Sequence, residues 1–145
     1  MADPTNFLSP DEEREVVEAI RLAEKETSGE IRVHIERSSE KDAFDRAKEV
    51  FHLLKMDTTA LKNGVLIYLA VDNRTFAICG DKGIDDVVEA DFWKSTKDLM
   101  ATHFRNGDFK IGLMAGIKMA GEQLQQYFPS LEDDRDELDN EISNG

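Results

Sequence analysis

Apolar residues recur at helical spacing in four segments of the chain and at strand spacing in three. The first helix is predicted to begin at Ser9-Pro10-Asp11-Glu12, which has the sequence of a capping box with proline at the first helical position. The same spacing predicts further helices from about residue 42 to 55, from Glu89 to Phe104 and from residue 109 to 128.

The segment EIRVHIE has the strict alternation of a β-strand. Its polar positions, Arg32, His34 and Glu36, all fall on one face, and its apolar positions fall on the other. This alternation predicts a half-exposed strand near the edge of a sheet.

Two further strands complete the predicted fold. GVLIYLAV is apolar on both faces, which is typical of a central strand, and the polar turn DNR joins it to TFAICG in an antiparallel hairpin. The element order α-β-α-β-β-α-α predicts an α/β fold: a three-layer αβα sandwich around a small mixed sheet of roughly four strands. The second strand is parallel to the first through a right-handed crossover.

We interpret residues 1–129 as a single domain and expect the acidic residues 130–145 to be disordered.

The last predicted helix contains Gly112, Gly116 and Gly121. Each glycine costs about 1 kcal/mol relative to alanine inside a helix. We therefore expect a packing reason for them, namely close approach to the sheet or to another helix.

The charge of the chain is strongly negative, with 18 basic and 31 acidic residues and a net charge of −13. Residues 131–145 contain seven of the acids and one arginine, a net charge of −6, which leaves −7 for the rest. Such a surface repels phosphate backbones and anionic lipids, so we expect neither nucleic acid nor a membrane as a partner. It attracts divalent cations or an unidentified basic protein.

A single cysteine, Cys79, cannot form an internal disulfide, and its apolar neighbours indicate a buried thiol. The N-terminal sequence lacks the basic and apolar regions of a signal peptide, and no apolar stretch of 18 residues occurs. We expect a monomeric, cytoplasmic protein.

Carboxylates are concentrated between the third predicted strand and the helix that follows it. In an antiparallel hairpin the chain leaves the third strand at the edge where it entered the second, so this segment should lie beside the loop MDTTALKN. The residues alone leave two interpretations open: acidic side chains that favour a helix N-terminus, or a divalent-cation site. The candidate metal ligands are Asp57, Asp81, Asp85, Asp86 and Glu89.

These ligands offer oxygen without imidazole or thiolate, which favours a hard cation, Ca²⁺ or Mg²⁺, over zinc. Ca²⁺ is preferred and Mg²⁺ is the weaker alternative, because irregular loops can offer six to eight oxygens without strict octahedral geometry. One or two ions would be compatible with so many carboxylates. The spacing is not that of an EF-hand, since position 6 counted from Asp81 is Asp86 rather than glycine. A cysteine phosphatase is excluded, because an aspartate stands six residues after Cys79 where an arginine is needed. We assign no catalytic residue.

The motifs TSGEIRVHIE, NGVLIYLA, GDKGI and HFRNGDFKIGLMAGI, in this order, resemble the TPM domain family. That family includes a thylakoid-lumen protein of photosystem II repair, and the similarity extends from about Leu8 to Pro129. The resemblance implies an αβα sandwich, divalent-metal binding near GDKGI and, in some members, a weak acid phosphatase activity. Many members carry a signal peptide, a membrane anchor or a glycine-rich tail, none of which this sequence contains.

Together these observations predict a stand-alone TPM domain that binds divalent cations and acts as a non-catalytic, metal-responsive binding module. Weak metal-assisted acid phosphatase activity is the alternative function.

Overall fold

The structure, a computed structural model, describes residues 8–130 and the two-residue strand Ser143–Asn144. Helix α1 is Pro10–Glu24. The Ser9 side chain accepts a hydrogen bond from the Glu12 amide at 3.1 Å, and the Glu12 carboxylate accepts one from the Ser9 amide at 2.9 Å. The predicted capping box is confirmed, and it determines where the first helix begins.

The central sheet is mixed and has the strand order β3-β2-β1-β4. Strand β1, Glu30–Glu36, pairs in parallel with β2, Gly64–Ala70, and β2 pairs in antiparallel fashion with β3, Thr75–Gly80. Strand β4, Ser143–Asn144, adds two residues in parallel to β1. The predicted parallel crossover and the hairpin are therefore both confirmed, although only three of the strands are longer than two residues.

Helices cover both sides of the sheet. Helix α2, Ala43–Leu53, packs on one side, where its apolar residues meet Leu66 and Tyr68 of β2. Helices α1, α4 (Lys94–Arg105) and α5 (Phe109–Gln125) form the layer on the other side, over the alternate residues of the same strands. The fold is the predicted three-layer αβα sandwich, with one apolar core on each side of the sheet.

The prediction of a half-exposed β1 is wrong. His34 and Glu36 are each only 5% exposed, and Arg32 is partly buried. The Glu36 end of the polar face is covered because Arg46 of α2 pairs with Glu36 at 2.9 Å, so that a partly buried ion pair takes the place of solvent. Alternation correctly separated the two faces of β1, but it did not indicate that both are covered.

The segment after β3 also differs from its prediction. A short helix, α3, occupies Lys82–Asp85 where a loop was expected, and α4 begins at Lys94 rather than at Glu89. Residues 86–93 are turns and irregular chain. Glu89 and Asp91 therefore precede α4 instead of lying on its first turn.

Close helix packing explains the three glycines of α5. A Cβ at Gly112 would lie 2.5 Å from the Phe104 ring, and one at Gly116 would lie 2.7 Å from Cγ of Met100 and closer still to its sulfur; both neighbours are on α4. A Cβ at Gly121 would lie 2.9 Å from Cβ of Ala23 on α1. The prediction of close approach is confirmed, and the neighbours are helices rather than the sheet.

The predicted disorder of residues 130–145 concerns positions that, apart from Ser130 and Ser143–Asn144, lie outside the described residues, so it stays a prediction. Within the described part of the chain, no helix is both long enough and apolar enough to cross a bilayer.

Candidate metal centre

The loop after β3 and the loop before β2 meet at one edge of the sheet. The Asp81 amide donates a hydrogen bond to the Gly64 carbonyl oxygen at 2.9 Å. Gly83 of α3 lies directly against the carbonyl oxygens of Leu61 and Lys62, since a Cβ at Gly83 would be 2.5 Å from the oxygen of Lys62 and closer still to that of Leu61. The adjacency of the two loops, predicted from the hairpin, is confirmed.

Asp81 is the N-cap of α3, and its Oδ1 accepts a hydrogen bond from the Lys82 amide at 2.7 Å. The residue is only 8% exposed, and its Oδ2 is buried without a hydrogen-bond partner among the described residues. A buried carboxylate oxygen without a donor or a cation is costly, because the low dielectric no longer stabilises its charge. Asp81 therefore presents one unsatisfied, negatively charged oxygen at this junction.

Asp85 follows one helical turn later, and its amide donates to the Asp81 carbonyl at 3.1 Å. Partial burial raises the pKa of the Asp85 carboxyl, and the negative charges of Asp86 and Asp81 raise it further. The carboxylates of Asp81 and Asp86 are thus each close enough to Asp85 to repel it.

Of the other predicted ligands, Asp57 and Asp86 have charged or ionisable partners on the protein. The Asp57 carboxylate lies 3.3 Å from Nδ1 of His52, on an exposed part of the loop before β2. The Asp86 carboxylate lies 3.5 Å from Nζ of Lys82, also on the surface. Glu89 is exposed beyond the end of α3. In the structure, then, Asp81, Asp85 and Asp86 are brought together in and around α3, whereas Asp57 contacts α2.

Oxygen atoms are the metal ligands available at this junction. Burial, together with the charge of Asp85, raises the pKa of the Cys79 thiol to about 11, so this nearby sulfur stays protonated and is a poor metal ligand. Thr59, in the loop before β2, is 1% exposed, and its Oγ1 has no hydrogen-bond partner among the described residues. Over the same residues, no three His, Cys, Asp or Glu side chains converge as a metal-binding group. Any cation here would need backbone oxygens or water in addition to carboxylates.

A second cluster of titratable residues lies between β1 and α2, and sequence reasoning missed it. Glu36 accepts hydrogen bonds from Arg46 at 2.9 and 3.0 Å and from the Tyr68 hydroxyl. Nε2 of His34 lies 3.3 Å from the same carboxylate, and its ring stacks on that of Tyr68. The strand register, which sets His34 opposite Tyr68, could have predicted part of this cluster, but nothing in the sequence indicates that Arg46 covers it.

In this cluster, burial and hydrogen bonding shift the pKa of each of Glu36 and His34 in opposite directions. Burial by itself would raise the pKa of Glu36, but the hydrogen bonds from Arg46, Tyr68 and His34 outweigh burial and lower the pKa to about 2. Burial lowers the pKa of His34, against the opposing effect of Glu36. At neutral pH the cluster contains an ionised Glu36 that is compensated by Arg46, and a neutral His34.

We call the meeting point of α3 and the loop before β2, with Asp81, Asp85 and Asp86, the acidic junction. The αβα layers and this junction define a small α/β domain of one recognisable class. A family profile described as TPM domain matches residues 1–123. The chain belongs to the TPM domain family. A search of curated proteins found no match.

Solved structures show the same fold. The chain is similar to the BA42 protein of the psychrophilic bacterium Bizionia argentinensis, with 57% identity, a TM-score of 0.92 and full coverage of both chains. It is also similar to the N-terminal domain of a protein from P. gingivalis, with 21% identity, a TM-score of 0.67 and coverage of 84% of this chain and 79% of that one. The corresponding values for an N-terminal domain from Corynebacterium glutamicum are 13% identity, a TM-score of 0.66 and coverage of 91% and 81%. The last two similarities concern the fold alone.

Proposed function

We propose that this TPM domain binds a divalent cation, Ca²⁺ in preference to Mg²⁺, at the junction of β3, α3 and the loop before β2, and acts as a metal-responsive binding module. The observation that carries the proposal is the buried Oδ2 of Asp81, which has no hydrogen-bond partner among the described residues. A cation would compensate that charge, and it would also offset the burial and the neighbouring negative charges that raise the pKa of Asp85.

The residues present fit a hard cation. Asp81 and Asp85 would hold it through carboxylate oxygens, and the carbonyl oxygens of Leu61 and Lys62, which lie against Gly83, are backbone ligands of the kind that Ca²⁺ accepts. Ca²⁺ suits an irregular junction better than Mg²⁺, because it tolerates six to eight oxygens without strict octahedral geometry.

The response to the cation is expected in the two loops rather than in the sheet. Without the ion, the carboxylates of Asp81, Asp85 and Asp86 repel one another, and α3 and the loop before β2 should separate more readily. When the ion is bound, the carboxylates coordinate it instead of repelling one another, and α3 stays against the loop before β2. The surface around α3 would therefore present one stable shape only when the cation is bound.

Titration calorimetry and thermal unfolding at physiological ionic strength test the proposal. Saturable binding of Ca²⁺ should stabilise the fold by about 2.7 kcal/mol at a hundredfold excess over Kd, which corresponds to a rise of roughly 5 to 10 °C in the unfolding midpoint. Asp81→Asn should remove most of this rise, because it removes a charge while preserving the shape.

The control variant is Asp45→Asn, which changes an exposed carboxylate on α2 and should retain the response. If millimolar Ca²⁺ and Mg²⁺ give neither heat nor a midpoint shift, the proposal is wrong and the carboxylates serve only the local helix. In parallel, turnover of a generic phosphate ester that is lost in Asp81→Asn would favour the alternative hydrolytic function.

A further inference from the structure

A long groove lies between α1 and α5, on the outer surface of the helical layer and outside the acidic junction. Its volume is about 1150 Å³. The two helices run side by side in the same direction: Lys110 contacts Glu15 at 3.1 Å near their first turns, and Gln125 contacts Glu26 at 3.4 Å near their last. The groove therefore follows α1 for about four turns, or roughly 20 Å.

The floor and walls of the groove are apolar. Its large side chains come from both helices, and two of them are unusually exposed, Leu22 at 50% and Ile111 at 48%. Ala19, Met114 and Ala115 also line the groove and are only partly buried. The groove is thus an apolar surface formed by two neighbouring helices, on which a third helix can pack.

The rim of the groove is acidic. Two basic residues, Arg14 and Lys118, line it together with five acidic ones. The acidic residues are Asp11, Glu15, Glu18, Glu26 and Glu122. Three of them are in ion pairs, Asp11 with Arg14, Glu15 with Lys110 and Glu18 with Arg21, so the uncompensated negative charge among the described residues comes from Glu26 and Glu122. An apolar floor with a negative rim is complementary to an amphipathic helix whose polar face carries lysine or arginine.

Charge disfavours the other occupants. Residues 131–145 of this chain carry a net charge of −6 and would be repelled by the acidic rim, as would an anionic membrane. A second copy of the chain would bring two acidic rims together. A small ligand is a poor fit, because such ligands are usually enclosed on most sides, whereas this groove is open along its walls.

We propose that the groove between α1 and α5 is the docking site for a basic amphipathic helix of a partner protein. The apolar face of that helix packs between Leu22 and Ile111, and its basic residues face the acidic rim. This site is separate from the acidic junction at α3 and does not depend on cation binding there.

A synthetic probe tests the proposal on the full chain. The probe is a fluorescently labelled peptide of about four helical turns, with leucine on one face and lysine on the other. A scrambled peptide of the same composition has no apolar face, and a third peptide has glutamate in place of lysine. We expect saturable one-to-one binding of the first peptide only, measured by fluorescence anisotropy, with an affinity that falls as salt is added.

Variants then locate the binding site. The double variant Leu22→Gln and Ile111→Gln should weaken binding by about tenfold or more, as expected when central apolar contacts are removed. Leu53→Gln changes a leucine that is 69% exposed on α2 and should leave the affinity unchanged. If the double variant unfolds, Glu18→Gln with Glu122→Gln provides the second measurement, and it should weaken binding and reduce the salt dependence.

Several outcomes would overturn the proposal. Equal binding of the scrambled peptide, or equal affinity in all variants, would mean attraction by charge alone. Displacement of the probe by a synthetic copy of residues 131–145 would assign the groove to the chain's own acidic segment. A dimer in sedimentation that dissociates in the double variant would assign it to a second copy.

Discussion

Gly83 of α3 and Lys62 of the loop before β2 are in such close contact that a Cβ at residue 83 would lie 2.5 Å from the Lys62 carbonyl oxygen. The obstructing oxygen belongs to the backbone, so it cannot move aside as the end of a flexible side chain could. This contact holds the two loops of the acidic junction together, and it requires glycine.

Gly83→Ala should therefore lower the free energy of unfolding by roughly 1 to 3 kcal/mol, as overpacked sites usually do. The same change should weaken any Ca²⁺ response, because it moves α3 away from the loop. Urea unfolding and calorimetric titration of the same variant measure the two effects.

Gly80→Ala is the matched control, since a Cβ there would lie 3.5 Å from the Ile84 side chain, an ordinary contact. We expect its free energy of unfolding to stay within about 1 kcal/mol of the wild type. Equal losses in both variants would show that the contact at Gly83 is not specially close.

Asp85→Asn should stabilise the cation-free protein while it weakens cation binding. The raised pKa of Asp85 means that the folded state binds this proton more tightly than the unfolded state does. The contribution of Asp85 to the stability of the cation-free protein should consequently fall as pH rises through the ordinary carboxyl range and above it, so the stability of the wild type relative to the variant should fall over that range. Thermal unfolding in chelator across a pH series measures the difference.

In saturating Ca²⁺ the order of the two midpoints should reverse, because the wild type then gains the stabilisation that Asp85→Asn has lost. Asp45→Asn, on α2, should follow the wild type under both conditions. An Asp85→Asn protein that is less stable than the wild type in chelator would contradict the repulsion inferred at this junction.

The buried pair of Glu36 and Arg46 should be costly to break from one side. Arg46→Met leaves an ionised carboxylate that is about 95% buried, and we expect it to lower the free energy of unfolding by roughly 3 kcal/mol. Adding Glu36→Gln should recover part of the loss, since the amide still hydrogen-bonds to Tyr68 but carries no charge. Chemical denaturation of the wild type, Arg46→Met and the double variant tests whether the double variant is intermediate in stability.

The exposed pair of Arg21 and Glu18 on α1 provides the comparison. Arg21→Met should change the unfolding midpoint little, because water solvates the remaining carboxylate. If the double variant at positions 36 and 46 is as unstable as Arg46→Met alone, the cost arises from lost packing rather than from an unpaired charge.

Acid should destabilise the protein through the carboxylate of Glu36. The pKa of Glu36 is about 2 in the folded state, against an ordinary value of 4.5, so its contribution is complete above pH 4.5 and is lost as pH falls towards 2. That contribution is on the order of 3 kcal/mol. Urea unfolding of the wild type and Glu36→Gln from pH 7 to pH 2.5 measures it.

The two unfolding curves should converge at the low end of this pH range. A difference between them that stays constant with pH would mean that Glu36 has an ordinary pKa in the folded protein.

Local sequence determined the elements whose signals lie within a few residues. The start of α1 follows from the capping box at Ser9 and Glu12, and the hairpin of β2 and β3 follows from a short polar turn between apolar strands. The hairpin also predicted that the loop after β3 lies beside the loop before β2. Each of these features depends on hydrogen bonds between residues that are close in sequence, between side chain and backbone in the capping box and between backbone groups in the hairpin.

Only the tertiary structure decided which polar residues lose contact with water. Alternation in β1 indicated a polar face, but Arg46, ten residues away on a different element, covers Glu36 and makes that face part of the interior. Likewise, five nearby carboxylates did not reveal that Oδ2 of Asp81 is the buried one or that Asp57 pairs with His52. A polar residue in a strand is compatible with water or with a buried partner at nearly equal free energy, and the choice depends on what the packing of distant elements brings beside it.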